Sequence, residues 1–554
     1  MNPAQISSLL KEIMQSIVDS TPDSGELNLA DANFTPERPK NRAHGDWASN
    51  IAMQFAKKLG TNPRELAGAI TAELVKNEGI AKAEIAGPGF INITLDAAAA
   101  GAVVSAVLAA GDSYGTSEIL AGRRINMEFV SANPTGPLHL GHTRWAALGD
   151  SLARVLRAAG AAVVSEYYIN DAGEQMRKFG RSVRAAALRL PTPEDGYPGE
   201  YIGELGAVVN TAVLDFAQLA EADQLAQATE IAYQQQLSEI KDSLKRFNVN
   251  FDVWFSERTM HSSENGEPNA IATALSRLRE QGHVYDADGA VWVRTTDFGD
   301  DKDRVYQRSN GIYTYFAADA AYYLSKTDRG SDIKIYLLGA DHHGYVGRLK
   351  AISGAAGEDP EKNIIALIGQ LVNLNGARLS KRAGNIVELN DLLEWLGCDA
   401  LRYWLARYPA DSPLSLDGEK LRSRTNDNPV FYVQYAHART QSVARNAATV
   451  GLTRADFTPE LLTHETESNL LGKLQEYPLV VAAAAQLYEP HRVARYLEEL
   501  TAAYHRWYDN CRVLPQGDEA PSALHATRLC LNDATSQVIR NGLNLIGVSA
   551  PERM

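Results

Sequence analysis

The stretch Glu128-Phe-Val-Ser-Ala-Asn-Pro-Thr-Gly-Pro-Leu-His-Leu-Gly-His142 constrains the fold more than any other part of the chain. Upstream, Ile125, Met127 and Phe129 alternate like the end of a buried strand. A Pro/Gly turn breaks that strand, and a helix begins where His139 and His142 flank Gly141. N–H groups left free at a helix N-terminus, with their partial positive charge, form an anion site. Glycine lets a flat base or a phosphate approach the backbone, and the imidazoles aim donors at the same anion. This is nucleotide chemistry. A lone His-x-Gly-His is more often an ordinary helix start; the upstream strand, both prolines and a matching loop downstream reverse that preference.

Strand–helix alternation runs from Arg123 to about Asn375, with strand-like stretches at Ile125–Phe129, Ala161–Ile169, Val253–Phe255, Lys334–Leu338 and Asn363–Leu374. The alternation predicts an α/β, doubly wound, Rossmann-like parallel sheet with ligands at the strand carboxyl ends, where Glu128 and Gly339–His343 both fall. A chain of 554 residues is too long for one core. We expect an N-terminal α/β domain over 1–115 and a catalytic domain over 116–375 with a helical insertion at about 191–250. A polar loop and connecting segment over 376–420 then leads to an all-helical domain over 421–554.

Composition narrows the class. With 45% hydrophobic and 22% charged residues the chain is ordinary globular protein. Its first residues resemble neither a signal peptide nor a transit peptide, and no apolar run is long enough for a bilayer, so a cytoplasmic protein without membrane contact is expected. Cys398, Cys511 and Cys530 are far apart, which excludes a zinc ribbon or disulfide framework. The net charge of −14 is uneven: residues 421–554 hold 13 Lys and Arg against 14 Asp and Glu, and five of the 12 histidines. An acidic total therefore does not exclude a polyanion on one module, because screening limits charge effects to about 8–10 Å.

The downstream loop is Gly376-Ala-Arg-Leu-Ser-Lys-Arg-Ala-Gly-Asn385, with cationic and hydroxyl groups between glycines. Such a loop can close over a triphosphate and set Lys381 against the charge that develops as pyrophosphate leaves. His139-Leu-Gly-His142 and Arg378-Leu-Ser-Lys-Arg382 resemble the two signature motifs of class I aminoacyl-tRNA synthetases. Within that class the chain resembles the arginyl-tRNA synthetase family, through Gly45-Asp-Trp-Ala-Ser-Asn50, Gly87-Pro-Gly-Phe-Ile-Asn92, Tyr313–Asp319, Gly339–Tyr345, Asn428–Arg439 and Ala550-Pro-Glu-Arg-Met554. These matches follow in order over nearly the whole length, with 191–250 the poorest. Arg378 and Arg382 depart from the usual lysine and serine of the loop motif. A guanidinium keeps the charge but not the compact shape of an ammonium, so the catalytic weight falls on Lys381.

The resemblance implies ATP with Mg²⁺, L-arginine and tRNA(Arg) as substrates of a monomer that needs tRNA bound for activation. It assigns catalysis to His139, His142 and Lys381. ATP contacts fall to these three with Pro134, Gly136, Gly141, Gly339, Asp341 and Ser380. The arginine pocket falls to Ser131, Asn133, His142, Tyr315, Asp319 and His342, with Glu128 beside them. A guanidinium is a planar fork of donors best met by carboxylates, which Asp319 and Glu128 supply. Tyr315 and Asp319, four apart, share one helix face. Asp341-His342-His343 is not read as a metal site, since zinc needs at least three protein ligands, and Mg²⁺ should arrive on the phosphates of ATP.

On the C-terminal helices, aromatic side chains mixed with Arg and Asn suit the unstacked bases and phosphates of a single-stranded RNA loop, with Tyr435, Arg439, Trp507, Asn510 and Arg512 as candidates. In the family this is the anticodon-binding domain, and the N-terminal domain touches the tRNA corner, for which Gly45–Asn50 is the candidate. A non-catalytic tRNA-binding relative is the alternative, against which the intact His139/His142 pair and Lys381 speak. Replacing Lys381 by Ala is expected to slow adenylate formation by about 2.7–4 kcal/mol of transition-state stabilisation. A single-turnover activation rate equal to that of the unaltered enzyme contradicts the role given to it.

Overall fold

The computed structural model describes residues 1–21, 29, 32, 34–39, 41, 44–263, 267–340, 343–370, 372–375, 387–454 and 457–554, and the side chains of these residues except His343 and Asn375. In the N-terminal part, helices Pro3–Ser20 and Pro63–Leu74 cover an antiparallel sheet in the order β1 (Trp47–Ser49), β3 (Phe90–Leu95), β2 (Ile80–Ala86). The segment Gly45–Asn50 is committed to this fold. Trp47 is buried in the core, Asp46 accepts the Leu95 N–H at 2.9 Å, and a Cβ on Gly45 (φ +90°) would stand 2.7 Å from the Ile93 carbonyl. Asn50 is exposed, and its Oδ1 accepts from Gln54 Nε2 at 2.6 Å.

The catalytic part is a five-stranded, all-parallel sheet. Its strands are β4 (Arg124–Glu128), β5 (Ala162–Ile169), β6 (Val253–Ser256), β10 (Ile333–Gly339) and β11 (Ile364–Gly369). The order β11-β10-β4-β5-β6 puts the switch point between β4 and β10, where a doubly wound sheet opens its crevice. Between β6 and β10 lies an antiparallel excursion of β7 (Val284–Ala287), β8 (Ala290–Val293) and β9 (Arg304–Gln307). Asp288 (φ 53°) and Gly289 (φ 72°) make the two-residue turn that left-handed backbone favours.

One expectation is corrected. Asn363–Leu374 is not a single strand: β11 ends at Gly369, and β12 (Val372–Asn375) pairs in parallel with β13 (Leu414–Asp417) in a separate two-stranded sheet. An apolar run carries no mark of where it changes sheets. The insertion contains helices Glu200–Ala212 and Glu221–Arg246, which pack with Gly173–Ala187 into a three-helix unit.

The C-terminal helices Pro429–Thr449, Glu465–Gln486, His491–Asn510 and Ala523–Leu545 share one continuous apolar core with the sheet. Their junction is pinned by charge. Arg402, fully buried, donates Nη2 to Asp150 at 2.6 Å, Nη1 to the carbonyls of Phe247 (2.9 Å) and Asn248 (3.1 Å), and Nε to that of Ile546 (3.1 Å). One guanidinium thus ties the helix Leu140–Ala158, the end of the insertion and the last helix together. Gly547 (φ +68°) keeps the place open, since a Cβ there would lie 2.1 Å from Arg402 Nη2. Removing one partner of such a buried pair costs about 3–5 kcal/mol, so Arg402→Met is expected to lower the denaturant midpoint for loss of the C-terminal helices. An unmoved midpoint would contradict the tie.

Candidate active site

At the carboxyl end of β4 the backbone turns sharply. Ser131 N–H bonds back to the Phe129 carbonyl at 3.0 Å across Val130, which sits at φ 67°, and Ser131 follows at φ 41°. A β-branched residue in left-handed backbone is strained by roughly 1–3 kcal/mol and persists only where its surroundings hold it. They do. Ser131 Oγ accepts the Tyr168 N–H at 3.1 Å and faces Glu128 Oε1 at 3.3 Å, Tyr167 donates to the Ala132 carbonyl at 2.8 Å, and Tyr201 of the insertion donates to the Thr135 carbonyl at 2.9 Å. Pro134 and Gly136 lie on this clamped loop. An ideal Cβ on Gly136 would stand 3.4 Å from the Tyr201 hydroxyl. Asn133 donates to Gln175 at 2.6 Å.

The loop ends in an unusual cap. His139 precedes the helix Leu140–Ala158, and its Nδ1 accepts the Gly141 N–H at 3.2 Å; His142 Nδ1 in turn accepts the His139 N–H at 3.4 Å. The rings stack at 3.7 Å. Burial lowers the pKa of His139, and burial together with the His139 charge takes His142 down to about 3. Both rings are neutral near pH 7. A neutral imidazole that accepts at Nδ1 carries its proton on Nε2, so the pair offers two Nε2–H donors at the positive end of a helix.

The segments around the polar loop meet this cap. Leu140 N–H bonds the Val387 carbonyl at 3.0 Å and Leu389 N–H the Leu138 carbonyl at 2.7 Å, with His139 bridging Glu388. Ser380 and Lys381, like Arg378 and Arg382, lie outside the described residues, as do Asp341 and His342.

The strand end that leads into the clamped loop also belongs to an acidic cluster. Asp319, half-buried on the helix Tyr315–Asp328, accepts from the Tyr345 hydroxyl at 3.1 Å. Burial pushes its carboxyl up to about 7, against the Tyr345 hydrogen bond and Arg348 and reinforced by the Glu128 and Glu257 carboxylates. Glu128 Oε2 accepts from Lys326 Nζ at 2.6 Å, a fully buried ammonium with the Tyr322 and Tyr336 rings 4.3 and 4.2 Å away. Glu128, Ser131 and Asp319 are therefore gathered in one cluster, and Gly339 ends β10 at the same end of the sheet. Tyr315, one turn before Asp319, is 76% exposed; its side chain stands at the open surface. Glu257, Lys326, Tyr345, Gln175 and Tyr201 were not found by sequence reasoning. Glu257 alone had a signal, as a carboxylate directly after β6, much as Glu128 is the last residue of β4.

On the helical domain Tyr435 is exposed and Arg439 half-buried. The Arg439 guanidinium lies 4.8 Å from both the Tyr435 and Tyr508 rings, donates to the Tyr435 hydroxyl at 2.9 Å and bonds His505 Nδ1 at 3.0 Å. Asn510 is exposed and donates to the Arg506 carbonyl. Trp507 is corrected: it is fully buried in the bundle core and out of reach of a base. Arg512 is exposed but bound to Glu519 at 2.6 Å, which offsets its charge toward a phosphate.

Among the described residues no group of three or more His, Cys, Asp or Glu is placed to hold a metal ion, and no helix is long and apolar enough to cross a membrane. Residues 4–95 match the family described as the arginyl tRNA synthetase N terminal domain, 103–397 the class I (R) tRNA synthetase catalytic domain, and 433–554 the DALR anticodon binding domain. The arginine–tRNA ligases of Pseudarthrobacter chlorophenolicus and Paenarthrobacter aurescens are 60% and 59% identical over all of both chains. The Thermus thermophilus arginyl-tRNA synthetase structure superposes with a TM-score of 0.76 at 21% identity, covering both chains completely.

From about pH 5 to pH 8 the imidazole of His142 is expected to hold the Nε2–H tautomer without titrating, unlike a free imidazole. ¹⁵N shifts assigned by single His→Asn variants check this; a His142 midpoint near the ordinary value contradicts it.

Proposed function

The chain belongs to the arginyl-tRNA synthetase family and is an arginine–tRNA ligase; from that premise we propose how its cleft divides the reaction. The acidic pocket takes the arginine side chain. Asp319 and Glu128 meet the guanidinium, Glu257 adds negative potential, Tyr315 closes the outer side, and Ser131 and Asn133 take the α-amino group, with His342 nearby. The capped helix takes ATP. The Nε2–H groups of His139 and His142, the backbone at Pro134, Gly136 and Gly141, and Gly339, Asp341 and Ser380 bind the nucleotide, and Lys381 faces the departing pyrophosphate. Mg²⁺ enters as Mg·ATP on the phosphate oxygens.

The arginine carboxylate attacks the α-phosphorus, pyrophosphate leaves, and the terminal ribose hydroxyl of tRNA then attacks the adenylate carbonyl, releasing AMP. No protein nucleophile takes part. The rate comes from positioning and from fixed donors aimed at developing charge. The N-terminal domain (1–115) and the helical domain (421–554) hold the tRNA, with Tyr435 and Arg439 stacking and pairing at its single-stranded bases and Asn510 at the rim. Residues 116–375 and 376–420 carry the chemistry. The protein works as a cytoplasmic monomer.

One observation carries this reading: half-buried Asp319 clusters with Glu128 and Glu257 at the end of β4, and the loop after that strand leads into a pair of neutral imidazoles. It also fixes a pH dependence. Near pH 7 about half of the empty pockets hold a proton on Asp319, and an incoming guanidinium must expel it. Arginine affinity therefore weakens below pH 7 and is fully developed above it. The KM for arginine is expected to fall about tenfold between pH 6 and pH 8. Asp319→Asn should abolish that slope and raise the KM by about 2 kcal/mol, some thirtyfold. A change confined to the ATP KM would misplace the pocket, and strong charging with lysine but not arginine would refute the assignment of substrate.

A further inference from the structure

Two residues after His142, on the same helix, a guanidinium has no part in the scheme above. Arg144 is fully buried. Its Nη1 donates to the Gln370 carbonyl at 2.8 Å, and its Nη2 to the carbonyls of Pro409 at 2.9 Å and Ser412 at 2.7 Å. Among the described residues Nε has no partner and no carboxylate bonds this guanidinium. Burial lowers its pKa to about 10, with Asp411 opposing the shift, so the charge persists at neutral pH.

A buried cation held by carbonyls alone is a costly way to join segments. Its value lies in which segments it joins. Gln370 ends the chain of β11 and leads into β12, and Pro409–Ser412 leads into β13, the partner of β12. Gln370 N–H also bonds the Ala410 carbonyl at 3.1 Å. Gly369 is pressed onto the next residue of the His-capped helix: a Cβ there would fall 1.4 Å from Trp145 Cη2. On the other side, Val387 and Leu389 bond the main chain of Leu140 and Leu138. The β12 frame and the Val387–Glu388 entry to the helix Leu389–Leu396 are thus both referenced to the histidine motif, the first of them through Arg144.

We propose that Arg144 is a positioning residue for the ATP-dependent half of the reaction, fixing the β11 end and the β12–β13 pair against the His139/His142 cap. This rests on the reading of that cap as the ATP side. A planar fork reaches several carbonyls in fixed directions, which a lysine ammonium on a single stem does not reproduce.

The test is ATP–pyrophosphate exchange with arginine and tRNA(Arg). Arg144→Lys keeps the charge but not the fork, and is expected to raise the ATP KM and lower kcat by about ten- to a hundredfold in combination. The arginine KM and the equilibrium affinity for tRNA stay as in the unaltered enzyme. Gly369→Ala, which drives the same strand end off Trp145, should give the same ATP-selective pattern, and it decides the matter alone if Arg144→Lys does not fold. Unchanged kinetics, or a parallel loss of ATP, arginine and tRNA parameters, overturns the proposal. His142→Asn separates the two layers. If it too leaves the ATP step untouched, the reading of the cap falls and the proposal with it. If His142→Asn impairs that step while Arg144→Lys and Gly369→Ala do not, only the role of Arg144 falls.

Discussion

The free N–H groups of the helix Leu140–Ala158 need acceptors, and the rest of the site depends on how they find them. An aspartate cap would satisfy the geometry but cancel the positive end of the helix. Here neutral imidazoles accept instead, at 3.2 and 3.4 Å, so the helix end keeps its potential for an anion while the ring protons face the other way. That solution requires buried, uncharged histidines. Burial requires the preceding loop to be folded tightly over the sheet, and the strained turn at Val130 and Ser131 accomplishes this.

The same helix is the mechanical axis of the molecule. Its first turn carries the cap, Arg144 gathers the strand ends around it, and Asp150 and Arg154 face the C-terminal helices through Arg402 and the Asn544 carbonyl. Opposite charges are handled differently in the two halves of the cleft. In the acidic pocket Lys326 offsets one carboxylate, and Asp319 takes up a proton. A cation placed there would favour the ionised form of Asp319. Around the cap, burial strips charge from the histidines, leaving donors suited to an anion.

Much of this was legible in the chain. Alternating apolar strands and helices marked four of the five parallel strands nearly to the residue, as at Ala162–Ile169, and the turn around Asp288-Gly289 announced the hairpin. Glu128 and the two histidines stood out because their chemistry coincides with a strand end or a helix start. What escaped were single buried charges whose partners are remote: Lys326 meets Glu128 across 198 residues and Arg144 meets Gln370 across 226. No local period records such a meeting. Trp507 failed for another reason, since an aromatic on an amphipathic helix reads alike whether it faces a base or a core.

The shared apolar core of the sheet and the C-terminal bundle has one more consequence. Two globules joined by a pliant tether respond to a load at one end by swinging, and the other end feels little. A close-packed core common to sheet and bundle couples the two, so a load on the bundle is felt at the helix Leu140–Ala158.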